Sequence, residues 1–134
     1  MQDQFGRKIE YLRLSVTDRC NLRCRYFMPE EGVADLGHGD VLRYDEMLRV
    51  LAVACRLGIR KVRVTGGEPL VRKGAVDFLS SLAKLPAGPE VLLTTNGLVL
   101  EEHLDKLKNA GIKRINLSLD SLNPDTWSEI TRRK

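Results

Sequence analysis

The chain has 134 residues, of which 43% are apolar, 30% are charged and 5% are aromatic, with a formal net charge of +4. This length and composition allow one globular core. The sequence has no apolar run of about 18 residues, which argues against a transmembrane helix. It also has no secretory signal at its N-terminus, so we expect a cytoplasmic protein. Three cysteines do not form a disulfide framework and favour a metal or redox role, and so few aromatic residues argue against a nucleic-acid-binding protein.

Four strand-like segments alternate with helical patterns along the chain. The predicted strands are residues 11–16, 61–65, 91–95 and 114–119. Apolar residues recur at helical spacing over residues 44–57, 75–83 and 100–110. Asn123 and Pro124 are typical of an N-cap and a first helical position, so they predict a fourth helix. Strands that alternate with helices of this length predict βαβ units, and therefore an α/β fold with a parallel sheet.

The predicted strands alternate between apolar and polar residues. Strands that are buried on both faces of a parallel sheet are usually aliphatic throughout. Here one face is predicted to pack on helices through Leu12, Leu14, Val16, Val62, Val64, Ile115, Leu117 and Leu119. The opposite face would carry Arg13, Ser15, Arg63, Thr65, Asn116 and Ser118. Because an apolar core does not accommodate unpaired guanidinium groups, this pattern favours a polar binding cavity over an ordinary solvated face.

Residues 20–27 read Cys-Asn-Leu-Arg-Cys-Arg-Tyr-Phe, which is an incomplete metal-binding loop. Cys20 and Cys24 are spaced for metal, and a third cysteine at Phe27 would complete a set for a [4Fe–4S] cluster, which soft thiolates suit. Cys55 lies on an apolar helix face and is expected in the core. His103 has no partner spacing, and His38 would be at most a remote substitute ligand. The loop also lies in a basic region with Arg13, Arg19, Arg23 and Arg25, which suits an anionic small molecule or a solvated surface.

Three further segments, taken together with this loop, resemble the radical S-adenosylmethionine (SAM) enzymes and, within them, the GTP 3′,8-cyclases of molybdenum cofactor biosynthesis. The segments are Thr65-Gly-Gly-Glu-Pro69, Thr94-Thr-Asn-Gly97 and Asn116-Leu-Ser-Leu-Asp-Ser-Leu122. The resemblance implies a partial, truncated (βα)6 TIM-like barrel with about four βα units. Residues 1–134 would then be the N-terminal part of a radical SAM core domain, with the C-terminal domain absent.

The resemblance also implies a site at the C-terminal ends of the strands. Cys20 and Cys24 would be metal ligands to a [4Fe–4S] cluster, whose electron cleaves SAM to a radical that starts the rearrangement of GTP. The residues implied for SAM binding are Tyr26, Gly66, Gly67, Glu68 and Ser118. The residues implied for GTP binding are Arg13, Arg63 and Thr94.

Phe27 and the length of the chain depart from the family pattern. A phenyl ring cannot ligate iron, and even the loss of an outer-shell partner costs about 10–100-fold in metal affinity or activity. We therefore expect SAM and GTP contacts to be partly present and catalysis to be absent or greatly impaired.

Three alternatives stay open: a radical SAM enzyme with another substrate such as a peptide, a non-catalytic SAM- or nucleotide-binding module, and a small zinc protein that uses Cys20, Cys24 and a histidine. A second copy of the chain, or a separate chain, could supply the missing half.

Overall fold

The computed structural model describes residues 2–33, 39–86 and 88–133. The elements in chain order are β1 (Tyr11–Ser15), α1 (Tyr44–Arg56), β2 (Lys61–Thr65), α2 (Ala75–Ala83), β3 (Glu90–Thr95), α3 (Leu104–Asn109), β4 (Arg114–Leu117) and α4 (Pro124–Thr131). Short 3₁₀ turns at Pro69–Val71 and Glu101–His103 lie before α2 and α3. The predicted strands and helices are therefore present, but the fourth strand ends at Leu117 rather than at residue 119, and a 3₁₀ turn replaces the first part of the third helix.

The four strands form one parallel sheet in the order β1-β2-β3-β4. Arg13 pairs in register with Arg63, Arg63 with Leu92, and Leu92 with Arg114. Parallel strands that are neighbours in both sequence and space are joined by crossover helices, as in a segment of a barrel. This arrangement confirms the predicted α/β fold of four βα units.

The core lies between one face of the sheet and helices α1 to α3. Its most deeply buried side chains include Leu51, Ile59, Val62, Val64, Leu79, Leu82, Leu93 and Leu107. Each such aliphatic side chain stabilises the fold by about 1.5–3 kcal/mol when it leaves water. Cys55 is 3% exposed within this packing, as predicted for a core thiol. The described residues include no helix that is both long and apolar enough to span a membrane.

Strand β4 is packed differently from the prediction. The alternation predicts that Leu117 and Leu119 pack on helices, but they are 56% and 48% exposed. In the described parts of the chain β4 is the edge strand and pairs with β3 alone, so Leu117, at its end, and Leu119, beyond it, lie at the open edge of the sheet. The C-terminal turn of α4 bonds to the loop that follows β1. The two leucines instead line an apolar groove of about 470 Å³ with Leu98, Leu104 and Trp127.

Candidate functional site

The polar face of the sheet carries Arg63 in a defined position. Its Nη1 donates to Thr94 Oγ1 at 3.2 Å, and its Nε donates to the hydroxyl of Tyr11. The guanidinium also lies 5.8 Å from the centre of the Tyr11 ring. Tyr11 is a residue that the sequence reasoning missed, although its place two residues before Arg13 on the same strand was the available signal.

Arg13 lies beside Arg63 in the parallel register. The Arg13 side chain lines the same cavity as the two thiols of the cysteine-containing loop. It has no ion pair with another residue in the described parts of the chain. Two neighbouring guanidinium groups with little local compensation make this end of the site attractive to an anion.

The cysteine loop, which we define as residues 17–28, follows β1. The sulfur of Cys20 accepts from the amide of Leu22 at 3.4 Å. The amides of Phe27 and Met28 both donate to the carbonyl of Cys24 at 2.9 Å and close a turn. Partial burial raises the pKa of the Cys24 thiol, because burial disfavours the thiolate.

Tyr26 is oriented by a residue from the far end of the chain. Its hydroxyl donates to a carboxylate oxygen of Asp120 at 3.0 Å. The residue as a whole is 69% exposed. Partial burial, and secondly the hydrogen bond to Asp120, nevertheless raise the pKa of Tyr26 to about 12. The same Asp120 charge adds to the rise in the pKa of Cys24, while the Tyr26 hydroxyl opposes it.

Gly66 and Gly67 pack against the backbone that enters the cysteine loop. A Cβ on Gly67 would lie 2.3 Å from the carbonyl oxygen of Arg19, and one on Gly66 would lie 2.6 Å from that of Thr17. The amides of Gly67 and Glu68 donate to these same carbonyls, Thr17 and Arg19, at 2.8 Å. Glycine is therefore required here by the contact between two backbone segments, and this contact fixes where the cysteine loop begins.

Glu68 is 1% exposed and has three hydrogen-bond donors at its carboxylate. Oε1 accepts from the hydroxyl of Thr95 at 2.8 Å and from the amide of Leu70 at 3.0 Å. Oε2 accepts from the amide of Asn96 at 2.7 Å. A carboxylate is stable at such a depth only when donors occupy its lone pairs. Glu68 thus ties the end of β2 to the end of β3, and Oε2 keeps the capacity for one further donor.

Asn96 extends this network to the cysteine loop. Its Nδ2 donates to Asn21 Oδ1 at 2.8 Å and lies 3.9 Å from the sulfur of Cys20. Its Oδ1 accepts from the amide of Leu98 at 3.1 Å. No role for Asn96 is predicted from the sequence, although its position directly after a strand, within a motif, is a usable signal.

One cavity of about 220 Å³ gathers most of the residues implied by the resemblance. Its lining includes Arg13, Cys20, Cys24, Tyr26, Gly66, Gly67, Glu68, Thr94 and Ser118. Arg63 adjoins this set through its bond to Thr94. Of the two histidines, His103 does not line the cavity, and His38 lies outside the described residues.

The donor set in this cavity does not fit a [4Fe–4S] cluster held by three protein thiolates. Phe27 lines the cavity beside Cys20 and Cys24, and its ring has no lone pair for iron. Among residues 2–33, 39–86 and 88–133, no group of three Cys, His, Asp or Glu side chains could hold a metal ion. Cys55 is buried in the core and cannot substitute.

Arg23 and Arg25, in the predicted basic region, have structural partners on or beside the cysteine loop. Arg23 Nη1 donates to the carbonyls of Cys20 and Leu22 at 2.8 and 2.9 Å. Arg25 forms an ion pair with Glu129 at 2.7 Å. The positive charge available to a ligand therefore depends more on the arginines of the sheet than on those of the loop.

Comparison with known sequences shows the family to which the chain belongs. The family model described as the Radical SAM superfamily matches residues 14–134. The chain is 53% identical to a GTP 3′,8-cyclase of Petrotoga mobilis over 99% of its own length, and 57% identical to that of Geobacter sulfurreducens over 97%. It spans only 41% and 40% of the length of these two curated relatives.

Comparison with solved structures supports the barrel-type fold. Streptococcus suis SuiB bound to the precursor peptide SuiA superposes with a TM-score of 0.74 at 20% identity, over 93% of this chain and 27% of that one. BtrN in complex with AdoMet and 2-DOIA gives a TM-score of 0.61 at 19% identity, over 83% of this chain and 46% of that one. At such low identity this likeness concerns the fold alone.

Proposed function

The chain belongs to the radical SAM superfamily, and from this membership we propose that it is the N-terminal part of the core domain of a GTP 3′,8-cyclase-like protein of molybdenum cofactor biosynthesis. With Phe27 in place, it would bind SAM and GTP but would not start the radical reaction efficiently. One observation carries this proposal: Phe27 lines the same cavity as Arg13, Tyr26 and the two thiols of the cysteine loop. The high identity to curated cyclases over nearly the whole chain supports the same assignment.

The substrate end of the proposed site is the arginine pair on the sheet. Arg13 and Arg63 are adjacent in register, so an anion between them would relieve their mutual repulsion. Guanidinium groups bind phosphate oxygens through paired donors. Thr94, which is already bonded to Arg63, would add a hydroxyl at the same place. These features support a nucleotide such as GTP as the substrate.

The cofactor end of the proposed site lies nearer the cysteine loop. Tyr26 would lie against SAM, Ser118 would contact it, and the backbone of Gly66 and Gly67 would border its methionine end. The free acceptor capacity on Glu68 Oε2 suits the ammonium group of that methionine. In radical SAM enzymes the cluster supplies the electron that cleaves SAM, and because the third thiolate is missing here we assign no step of that reaction to this chain.

The arginine pair also bears on the rival functions. A peptide-modifying radical SAM enzyme would not need two adjacent guanidinium groups on the sheet, so nucleotide binding separates it from a cyclase-like protein. A zinc protein would need a further ligand near the two thiols, and the described residues provide no such group.

Anaerobic reconstitution with iron and sulfide tests the cluster part of the proposal. We expect the Phe27→Cys variant to gain about four irons per chain, whereas the unmodified chain and a matched Phe27→Ser variant remain far below this value. A full cluster in the unmodified chain would contradict the assigned defect. Failure of Phe27→Cys to gain iron would contradict the assignment of the loop.

Equilibrium dialysis with GTP and with SAM tests the binding part. We expect Arg13→Ala to weaken GTP binding about tenfold or more, in line with the loss of a charge-assisted hydrogen bond. Arg49→Ala is the matched control, because Arg49 pairs with Asp45 on the exposed face of α1. Equal GTP affinity in both variants would exclude the arginine pair as the nucleotide site.

A further inference from the structure

The chain after β4 returns to the cysteine loop and bonds to its backbone. The amides of Arg23 and Arg25 donate to the carbonyls of Thr131 and Ile130, both at 3.0 Å. The last carbonyls of a helix have no partner within the helix itself. The cysteine loop therefore completes the C-terminal turn of α4, and that turn in return fixes two amides that flank Cys24.

The side chains of Arg132 and Arg133 bond to carbonyls on the same loop. Arg132 Nη1 donates to the carbonyl of Met28 at 3.2 Å and to that of Arg23 at 3.4 Å. Arg133 Nη1 donates to the carbonyl of Asn21 at 3.0 Å. Peptide groups directly after Cys20, between the two cysteines and beyond Cys24 are thus all held from outside the loop.

Arg132 has an unusual backbone conformation that keeps its side chain over the loop. Its φ and ψ are 53° and 34°, in the left-handed region, and it is the single non-glycine residue with positive φ in the described parts of the chain. Glycine is the usual residue where a helix ends in this way. An arginine at this position adds a guanidinium that reaches two loop carbonyls, which a glycine would lack.

The beginning of the same segment bonds to the loop as well. The carboxylate of Asp120, just after β4, accepts from the hydroxyl of Tyr26 at 3.0 Å. Near the other end, Glu129 pairs with Arg25 at 2.7 Å. The segment therefore contacts the loop at both of its ends, across about a hundred residues of sequence.

We propose that residues 120–133 form a clasp that sets the shape of the cysteine loop before any ligand binds, with Arg132 and Asp120 as positioning residues for Cys20, Cys24 and Tyr26. This inference goes beyond the proposed function and rests on it only in treating the loop as the ligand-bearing element. The clasp acts on the loop backbone, so its effect is measurable in the chain alone.

Hydrogen exchange and thiol labelling of the full chain without ligand test the clasp. Arg132→Asn removes the guanidinium but keeps a residue that tolerates the left-handed conformation. We expect the amides of Arg23 and Arg25 to exchange about tenfold faster, as when one hydrogen bond is lost. Labelling of Cys20 and Cys24 by a maleimide should accelerate in parallel, while the core thiol Cys55 should react at its original rate.

Two further variants show whether the guanidinium is responsible. Arg132→Lys, which can reach one carbonyl with a single donor group, should restore part of the protection. Arg49→Asn on α1 should leave all these rates unchanged. In the Phe27→Cys background, Arg132→Asn should lower the iron content after reconstitution without a matching fall in the melting temperature.

The proposal would be overturned if Arg132→Asn left the loop amides and thiols as protected as before, or if Cys55 became reactive by the same factor. If Arg132→Asn does not fold, Arg133→Asn tests the same clasp at the Asn21 carbonyl with the same readouts. GTP binding is measured separately, so unchanged loop protection with normal GTP affinity would reject the clasp and leave the proposed function intact.

Discussion

The carboxylate of Glu68 accepts a 2.7 Å hydrogen bond from the backbone amide of Asn96, and the side chain of Asn96 donates in turn to Asn21. Glu68 follows β2, Asn96 follows β3 and Asn21 belongs to the cysteine loop after β1. Three segments that read as separate motifs are therefore one hydrogen-bonded unit. A change in any one of them is expected to alter the position of the others.

Glu68→Gln tests this unit through stability. The amide nitrogen of glutamine would face either the backbone amide of Asn96 or the backbone amide of Leu70 beside the Thr95 hydroxyl, so one backbone amide would lose its acceptor. We expect a loss of about 2–3 kcal/mol in the free energy of unfolding, measured by urea denaturation. Glu102→Gln, at an exposed position, is the control and should stay within about 0.5 kcal/mol. Equal effects in the two variants would contradict the network.

Gly67→Ala tests the backbone contact at the entrance of the cysteine loop. The new Cβ would lie 2.3 Å from the Arg19 carbonyl oxygen, so the backbone before Cys20 must move. We expect a loss of about 1–3 kcal/mol, as for other overpacked sites, together with faster labelling of Cys20. Gly39→Ala is the matched control, because a Cβ there meets no atom within 4 Å. If both variants melt at the same temperature, the close contact between Gly67 and the Arg19 carbonyl does not constrain the fold.

Much of the fold could be predicted because local patterns determine it. Asn123 predicts a helix start, and its Oδ1 accepts from the amide of Thr126 at 3.0 Å. The alternation over Arg13 and Arg63 predicts a polar sheet face, since side chains on a strand point to opposite faces with a period of two. Both features depend on residues within a few positions of one another.

The parts that could not be predicted depend on contacts between distant residues. The exposure of Leu117 depends on whether a further element covers the edge strand, which alternation alone does not reveal. The need for glycine at position 67 arises from Arg19, 48 residues earlier in the chain. The bond between the Arg23 amide and the Thr131 carbonyl has no signature in either segment.

Arg63→Lys tests how the proposed nucleotide site depends on guanidinium geometry. Arg63 contacts Thr94 and Tyr11 at once, and a lysine ammonium on a flexible stem does not reproduce this fixed pair of donors. We expect GTP affinity to fall about tenfold, measured by equilibrium dialysis, although the charge is kept. Arg49→Lys is the control. A GTP affinity in Arg63→Lys equal to that of the unmodified chain would mean that only charge matters at this position.

The pH dependence of Cys24 alkylation tests the environment of the cysteine loop. Burial raises the pKa of this thiol above its ordinary value of 9.0, and the charge of Asp120 adds to the rise. Because the thiolate is the reactive form, half-maximal labelling by iodoacetamide should occur at a higher pH in the folded chain than in urea.

The same shift has a consequence for stability. Between the unfolded and the folded pKa of Cys24, the folded chain holds the proton that the unfolded chain has released, so the stability from this thiol falls as the pH rises above about 9. Cys24→Ser should therefore show a shallower loss of stability over this range.

Asp120→Asn should move the pH of half-maximal Cys24 labelling to a lower value, because the charge of Asp120 adds to the rise in the pKa of Cys24. Asp125→Asn, on the exposed first turn of α4, should leave it unchanged. A folded midpoint at or below the unfolded one would show that burial does not control the reactivity of this thiol.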